Sequence, residues 1–158
     1  MHDDSKLEKL IVFAIANYDL ALPIDQVLRV INYPLDTSKS LEKIGLIQCG
    51  RHTIRAVNLS QQLQLETPDA QPLPFLMLVR GIDQELCGIP VSAPPDVIEI
   101  SIEALQPLEW TSTTSPLLKV VSHTAVVKQT DETLSILLLD LYQVLADSTQ
   151  KLLGASIA

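Results

Sequence analysis

The sequence predicts an all-β protein made of two similar small modules. Two observations carry this. Apolar residues come in short runs of strand length, or in strict alternation, and almost nowhere at helical spacing. The chain also repeats itself. Leu10 to Ala16 leads through Asn17-Tyr18-Asp19 into Leu20-Ala21-Leu22-Pro23-Ile24, and Phe75 to Val79 leads through Gly81-Ile82-Asp83-Gln84-Glu85 into Cys87-Gly88-Ile89-Pro90-Val91. Each copy continues through apolar anchors, Val27, Val30 and Ile31 in the first and Val97, Ile98 and Ile100 in the second. Each closes on a hairpin ending in a polar residue and a leucine, Asn58-Leu59 and Asp140-Leu141. A crevice between two such modules is a natural place for a partner.

In chain order, Leu10 to Ile15 is continuously apolar and too short for a helix, so it reads as a strand covered on both faces. Asp25 to Ile31 fits either a helical turn or a strand resuming after Pro23. Ser38 to Lys43 allows one helical turn capped by Ser40. Gly45 to Cys49, a turn at Gly50-Arg51-His52, and Thr53 to Leu59 form a hairpin. Ser60 to Pro74, with four glutamines and three prolines, joins the halves. Val97 to Glu103 alternates, with Ile98, Ile100 and Ile102 on one face and Glu99, Ser101 and Glu103 on the other. Glu103 to Pro116, which holds Trp110, is a second connector. Val120 to Lys128 and Thr133 to Leu141 form the second hairpin, turning near Thr130-Asp131-Glu132. A short C-terminal helix is expected over Asp147 to Leu153, capped by Asp147 or Ser148 and stopped by Gly154. The expected division of the single domain, 1–158, is a first lobe at about 9–60, a linker at 60–74, a second lobe at about 75–146 and a tail at 147–158.

Composition narrows the function. The 158 residues carry a formal charge of −8, which disfavours nucleic acid and polybasic membrane-surface contacts, since both rest on Lys and Arg. Aromatic residues are only 4% of the chain, too few for base-stacking platforms. Cys49 and Cys87 sit in strand-like text and are expected to be reduced and buried, as in a cytosolic protein. No apolar run is long enough to span a bilayer, and the start, Met1 to Lys6, does not read as a signal peptide. A soluble cytoplasmic protein is expected.

Little in the sequence suggests chemistry. His2, His52 and His123 are scattered, so no metal site is expected. Ser122-His123 and Asp140 contain the letters of a triad without a nucleophile elbow around the serine, and a triad is a matter of geometry. Asp140, placed after Leu137-Leu138-Leu139, is expected to accept backbone N–H bonds at a corner of the fold, with partner contact as the alternative. No glycine-rich phosphate loop is present. No catalytic, cofactor-binding or metal-binding residues are therefore assigned.

The order of these motifs resembles the CheW-like family of chemotaxis adaptors. The resemblance lies in Leu10-Ile11-Val12-Phe13, the polar turn, Leu20-Ala21-Leu22-Pro23-Ile24, and then Val27 and Val30 at spacings of three. It continues through the ungapped hairpin Gly45 to Leu59, then Gly88-Ile89-x-Val91, the stretch from Ile102 to Gln106-Pro107-Leu108, and Leu139-Asp140-Leu141. It covers roughly residues 9 to 146. It implies two small five-stranded β-barrels packed side by side and no enzyme activity. It also implies two partners: the cytoplasmic tip of a methyl-accepting chemoreceptor in an apolar groove, and a CheA-type histidine kinase at the end of one lobe. Carried onto this chain, the groove residues are Ile24, Val27, Gly45 and Gly88, apolar anchors suited to a docked helix.

Four departures from the family pattern bear on partner choice. The hairpin turn is Gly50-Arg51 rather than Arg-Gly, which re-aims the basic residue. Arg29 stands where an acidic residue is common, a charge reversal at a contact rim. Val120 and Ser92 replace a glycine and an aspartate. Ile24, Val27, Arg29, Gly45, Arg51 and Gly88 are thus the expected partner-binding residues. The expected function is a scaffold coupling receptor to kinase in chemotaxis, phototaxis or pilus motility. The alternatives are a module that binds a receptor but not the kinase, and a small enzyme with an inter-lobe site.

Overall fold

A computed structural model describes residues 6–32, 45–49, 51–65, 73–81, 84–109, 115–128 and 130–146. Among the described residues eleven strands form two sheets. They are β1 (Leu7–Ile15), β2 (Tyr18–Pro23), β3 (Val27–Asn32), β4 (Leu46–Cys49), β5 (His52–Ala56), β6 (Phe75–Arg80), β7 (Leu86–Val91), β8 (Asp96–Ser101), β9 (Gln106–Pro107), β10 (Val121–Lys128) and β11 (Thr133–Leu139). The first sheet runs β8-β1-β2-β11-β10-β9 and the second β3-β6-β7-β5-β4. The expected all-β, two-part architecture is present. The first sheet has six strands rather than five, because the two-residue β9 adds to the edge of β10. Among the described residues each order runs from one outer strand to another.

The repeat is real, and its two copies are interleaved. Set side by side, β8-β1-β2-β11-β10 and β3-β6-β7-β5-β4 match strand for strand. Each sheet takes its opening hairpin from one copy and its remaining strands from the other. The inner strand of that hairpin is in each case the parallel partner of the other copy's last strand, β2 with β11 and β7 with β5. The boundaries 9–60 and 75–146 therefore do not coincide with the sheets: β1 and β2 belong with β8 to β11, and β3 to β5 with β6 and β7. The physical reason is the crossover after each hairpin. Pro23 ends β2, Ile24–Gln26 make a single 3₁₀ turn, and the chain enters the other sheet as β3. A proline suits such a point because it cannot extend a ladder as a donor.

Three cores result. Leu10, Val12, Ala21, Ile100, Ala125, Ile136 and Leu138 pack inside the first sheet. Ile47, Ile54, Leu76 and Leu78 pack inside the second. The third and largest lies between the sheets and takes Ile11, Phe13 and Ile15 from β1, Leu20 and Leu22 from β2, and Met77, Val79, Cys87, Ile89 and Val91 from β6 and β7. Successive strand side chains point to opposite faces, so Leu10 to Ile15 in β1 and Phe75 to Val79 in β6 are continuously apolar because each run has a core on both sides.

Among the described residues α-helix is confined to short pieces at the shared core. Asn58 and Asp140, the polar residues that close the two hairpins, are both helix caps. The Asn58 side chain accepts the Gln61 N–H at 3.2 Å and starts a turn over Leu59–Gln62. Asp140 Oδ1 accepts the Gln143 N–H at 3.2 Å and starts residues 141–146, which are helical. Leu141, Val144 and Leu145 face the shared core at helical spacing. Asp140 is exposed rather than buried, and helix capping accounts for its place after three leucines. The two capped turns meet where the buried Gln62 side chain donates to the Val144 carbonyl at 2.8 Å. The turn expected over Ser38 to Lys43, Trp110 and the helix over Asp147 to Leu153 lie outside the described residues. Ile102 departs from the alternation expected of β8. The strand ends at Ser101, whose hydroxyl accepts the Glu103 N–H at 3.2 Å, and Ile102 begins an exposed 3₁₀ turn. A serine that captures a nearby backbone donor competes with the ladder.

Candidate functional site

Cross-strand register brings four of the six expected partner-binding residues into two adjacent rows of the second sheet. One row reads Val27, Val79, Cys87, Arg55, Leu46 across β3-β6-β7-β5-β4. The next reads Arg29, Leu78, Gly88, Ala56, and ends at Gly45, whose carbonyl accepts the Ala56 N–H at 2.7 Å. Ile24 stands three residues before Val27, exposed in the crossover turn.

The rows face opposite ways. Val79 and Cys87 belong to the shared core, and Val27 packs against it half-buried. Leu78 belongs to the inner core of the second sheet, and Ala56 packs against it. A bulge between Val27 and Arg29 inserts Leu28, 45% exposed, and sets Arg29 on the second row, exposed at the sheet edge. A bulge bends its strand and re-aims side chains, which is how the charge comes to lie beside the apolar anchors rather than among them.

The two glycines have different reasons to be glycine. Gly45 has φ +81° and open space where a Cβ would be, so its requirement is conformational. Gly88 is buried, and a Cβ there would lie 2.8 Å from Leu76 Cδ1 and 2.9 Å from its Cγ. Gly88 lets β7 close over Leu76, and its own surface does not reach a partner. Arg51 is exposed at the β4–β5 turn. That is about six residues along the strand from Gly45, or roughly 20 Å at about 3.4 Å per residue. It therefore lies apart from the other five.

A polar cluster absent from the expectations lies on the first row. Arg55 is buried, its Nε donates to Glu85 Oε1 at 3.0 Å, and its Nη2 lies 3.5 Å from Cys87 Sγ. Burial pushes the Cys87 thiol up from its usual range, the Arg55 guanidinium opposes this, and Glu85 adds to it. A protonated, buried thiol is a poor nucleophile, as expected for Cys87; the Cys49 side chain lies outside the described residues. The only hint of the cluster in the sequence is an arginine inside an otherwise apolar alternation, Ile54-Arg55-Ala56-Val57.

The triad letters do not assemble. Ser122 Oγ donates to the Leu138 carbonyl at 3.3 Å, and His123 Nδ1 lies 2.9 Å from the Ser122 Oγ. Asp140 is engaged with Gln143 instead. Among the described residues no three His, Cys, Asp or Glu side chains gather where a metal ion could be held.

A family model for the CheW-like domain matches residues 9–149. Fifteen chains of solved structures match as well. One is the crystal structure of the scaffolding protein TtCheW from Thermoanaerobacter tengcongensis. It superposes with a TM-score of 0.66 at 21% identity, covering 88% of this chain and 92% of that one. No curated protein matches.

Proposed function

The chain belongs to the CheW-like domain family, and on that footing we propose that it is a non-enzymatic adaptor of a chemotaxis-type array, coupling a chemoreceptor to a CheA-type histidine kinase. The observation that carries this reading is the convergence of Ile24, Val27 and Arg29 at one end of the second sheet, an apolar ledge with a charged rim. An amphipathic receptor helix can bury anchors on such a ledge. Gly45 and Gly88 support it from behind, one through backbone conformation and one through packing.

Arg51, set apart at the β4–β5 turn, is assigned to a second contact, with the kinase. The arrangement around Ser122 and His123 favours an adaptor over an enzyme. Among the described residues no helix is long and apolar enough to cross a membrane, and the proposed place of work is the cytoplasmic side, at the receptor tip.

Binding of each purified partner tests the proposal. A receptor cytoplasmic fragment and the regulatory domain of a CheA-type kinase from the same cell should each bind, at separable sites. Ile24→Asp should weaken only the first, and Arg51→Glu only the second. Binding of the receptor fragment alone would favour the second reading, a module that engages receptors without the kinase, for which the exposed Arg29 is the supporting observation.

A further inference from the structure

The interleaved repeat gives the Arg55–Glu85 pair an internal comparison. Leu10 lies opposite Pro23 and Leu76 opposite Pro90, and the caps Asp140 and Asn58 follow β11 and β5. Arg55 stands three residues before Asn58, as Leu137 does before Asp140. Glu85 stands five residues before Pro90, as Tyr18 does before Pro23. The ladders agree: Arg55 lies beside Cys87 and Leu137 beside Leu20, each two residues beyond Glu85 and Tyr18. In the first sheet the two places hold Leu137, packed against the shared core, and an exposed Tyr18. In the second they hold a buried guanidinium and a carboxylate side chain 45% exposed, 3.0 Å apart. The fold is thus built at these positions without charge. Apolar replacements of a buried ion pair are often neutral or stabilising, so stability alone does not account for this one.

Glu85 stands at the same end of the second sheet as the apolar ledge. Val27 lies opposite Val79, and Val79 opposite Cys87. Val27 and Cys87 are therefore two strand spacings apart, roughly 10 Å at about 4.8 Å per strand. Strands β3 and β7 both run antiparallel to β6, so they point the same way. Ile24 precedes Val27 and Glu85 precedes Cys87, both towards one end. The bond to Arg55 keeps the Glu85 side chain on the face of the Val27, Val79, Cys87 row. An α-helix with its side chains is about 10–12 Å across, so a helix resting on Ile24 and Val27 has Glu85 at its flank. The carboxylate is also held from behind. The Gly81 N–H donates to the Glu85 carbonyl, and a Cβ on Gly81 would lie 2.8 Å from Cys87 Sγ and 3.1 Å from that carbonyl oxygen. Glycine lets the turn close onto β7. Glu85 Oε1 takes the Arg55 bond, and Oε2 has no partner among the described residues.

We propose that Glu85, held in place by Arg55, is a specificity-determining residue of the ledge: its outer oxygen accepts from a Lys or Arg side chain flanking the apolar anchors of the docked receptor helix. This rests on the receptor reading above and names the chemistry that helix must carry. Arg55 is a positioning residue, since it is buried and reaches the helix only through Glu85. A carboxylate already ordered by its own protein loses little side-chain freedom on binding. The buried guanidinium on one side and the incoming cation on the other bracket it. The formal charge of −8 favours the approach of a cationic segment.

Titration calorimetry with a receptor cytoplasmic fragment, at low and high salt, tests it on the full chain. Glu85→Gln should weaken binding about tenfold, the scale of a hydrogen bond to a charged group, and flatten the salt dependence. Arg55→Leu with Glu85→Tyr, the residues of the other copy, should keep the melting temperature close to that of the unaltered chain and weaken receptor binding as much. Affinity for the kinase regulatory domain should stay the same in both variants. Among alanine substitutions of Lys and Arg in the fragment, one should lose affinity for the unaltered chain and lose none for Glu85→Gln. Undiminished receptor binding by Glu85→Gln, while Ile24→Asp still weakens it, would overturn this inference alone. So would fragment substitutions that all act equally on both proteins. An unaltered chain that binds no receptor fragment would overturn the receptor reading and this inference with it.

Discussion

Gly88→Ala measures how much of the second sheet depends on one missing methyl group. The added Cβ would lie 2.8 Å from Leu76 Cδ1, 2.9 Å from Cγ and 3.0 Å from Cδ2. Leu76 has no exit, being fully buried in the small core with Ile47, Ile54 and Leu78. Overpacking of this kind typically costs about 1–3 kcal/mol. Replacing a glycine whose backbone conformation alanine can adopt returns about 0.4–1 kcal/mol through the unfolded chain, and Gly88 does not have positive φ. The net loss should be about 1–2 kcal/mol. At about 2–4 °C per kcal/mol for a domain of this size, the melting temperature should fall by about 2–8 °C. Urea titration should move the midpoint without changing the slope. Leu76→Val removes the crowding atoms, so Gly88→Ala added to Leu76→Val should cost much less than Gly88→Ala alone, a coupling that a double-mutant cycle reads directly. A melting temperature unchanged or raised by Gly88→Ala would refute the packing role assigned to this glycine.

Gly45→Ala should lose about 1–2 kcal/mol for a different reason, its φ of +81°, so Gly45→Asn should be tolerated better than alanine in the same melt. Asp140→Ala and Asn58→Ala should each cost about 0.5–2 kcal/mol as lost helix caps, measured by chemical denaturation, and the two losses should add if the capped turns act independently. Ile24→Asp should reduce receptor binding about tenfold or more in titration calorimetry, with little change in melting temperature, whereas the half-buried Val27 makes Val27→Asp destabilising as well. Because burial raises the Cys87 pKa above 9.0, the unfolded chain gives up this proton first on the alkaline side. Its contribution to stability is full below about pH 9 and declines above it, and comparison with Cys87→Ala across that range isolates the effect.

The strands and turns of this fold are written locally, which is why they are legible. Continuous apolar text in β1 and β6 reports cores on both faces, and β4 and β5 pair as the hairpin pattern predicts. The interleaving is not local. A strand with both faces apolar satisfies either partner sheet, so nothing in Leu10 to Ile15 says that it pairs with β8 rather than with its own copy's β3. The repeat is readable in the sequence but its exchange is not. Asn58 and Asp140 are visible as a matched pair, and their shared role as caps emerges only with the helices that follow them. For Gly88, sequence reports only that a side chain is missing; the structure adds that Leu76 fills the space. Arg55 escapes a sequence reading because its buried ion pair depends on Glu85, thirty residues away in the chain.

Coupling of a receptor to a kinase is the role proposed for this chain, and kinase autophosphorylation reads it without intermediaries. The assay uses a CheA-type kinase on receptor-containing membranes from the same cell, with and without this protein. Kinase activity should respond to receptor and attractant only when the protein is present, and Ile24→Asp should remove the response while leaving free kinase unaffected. Receptor control of the kinase that is equally strong without the protein, or no change on adding it, would show that the chain is not the coupling adaptor.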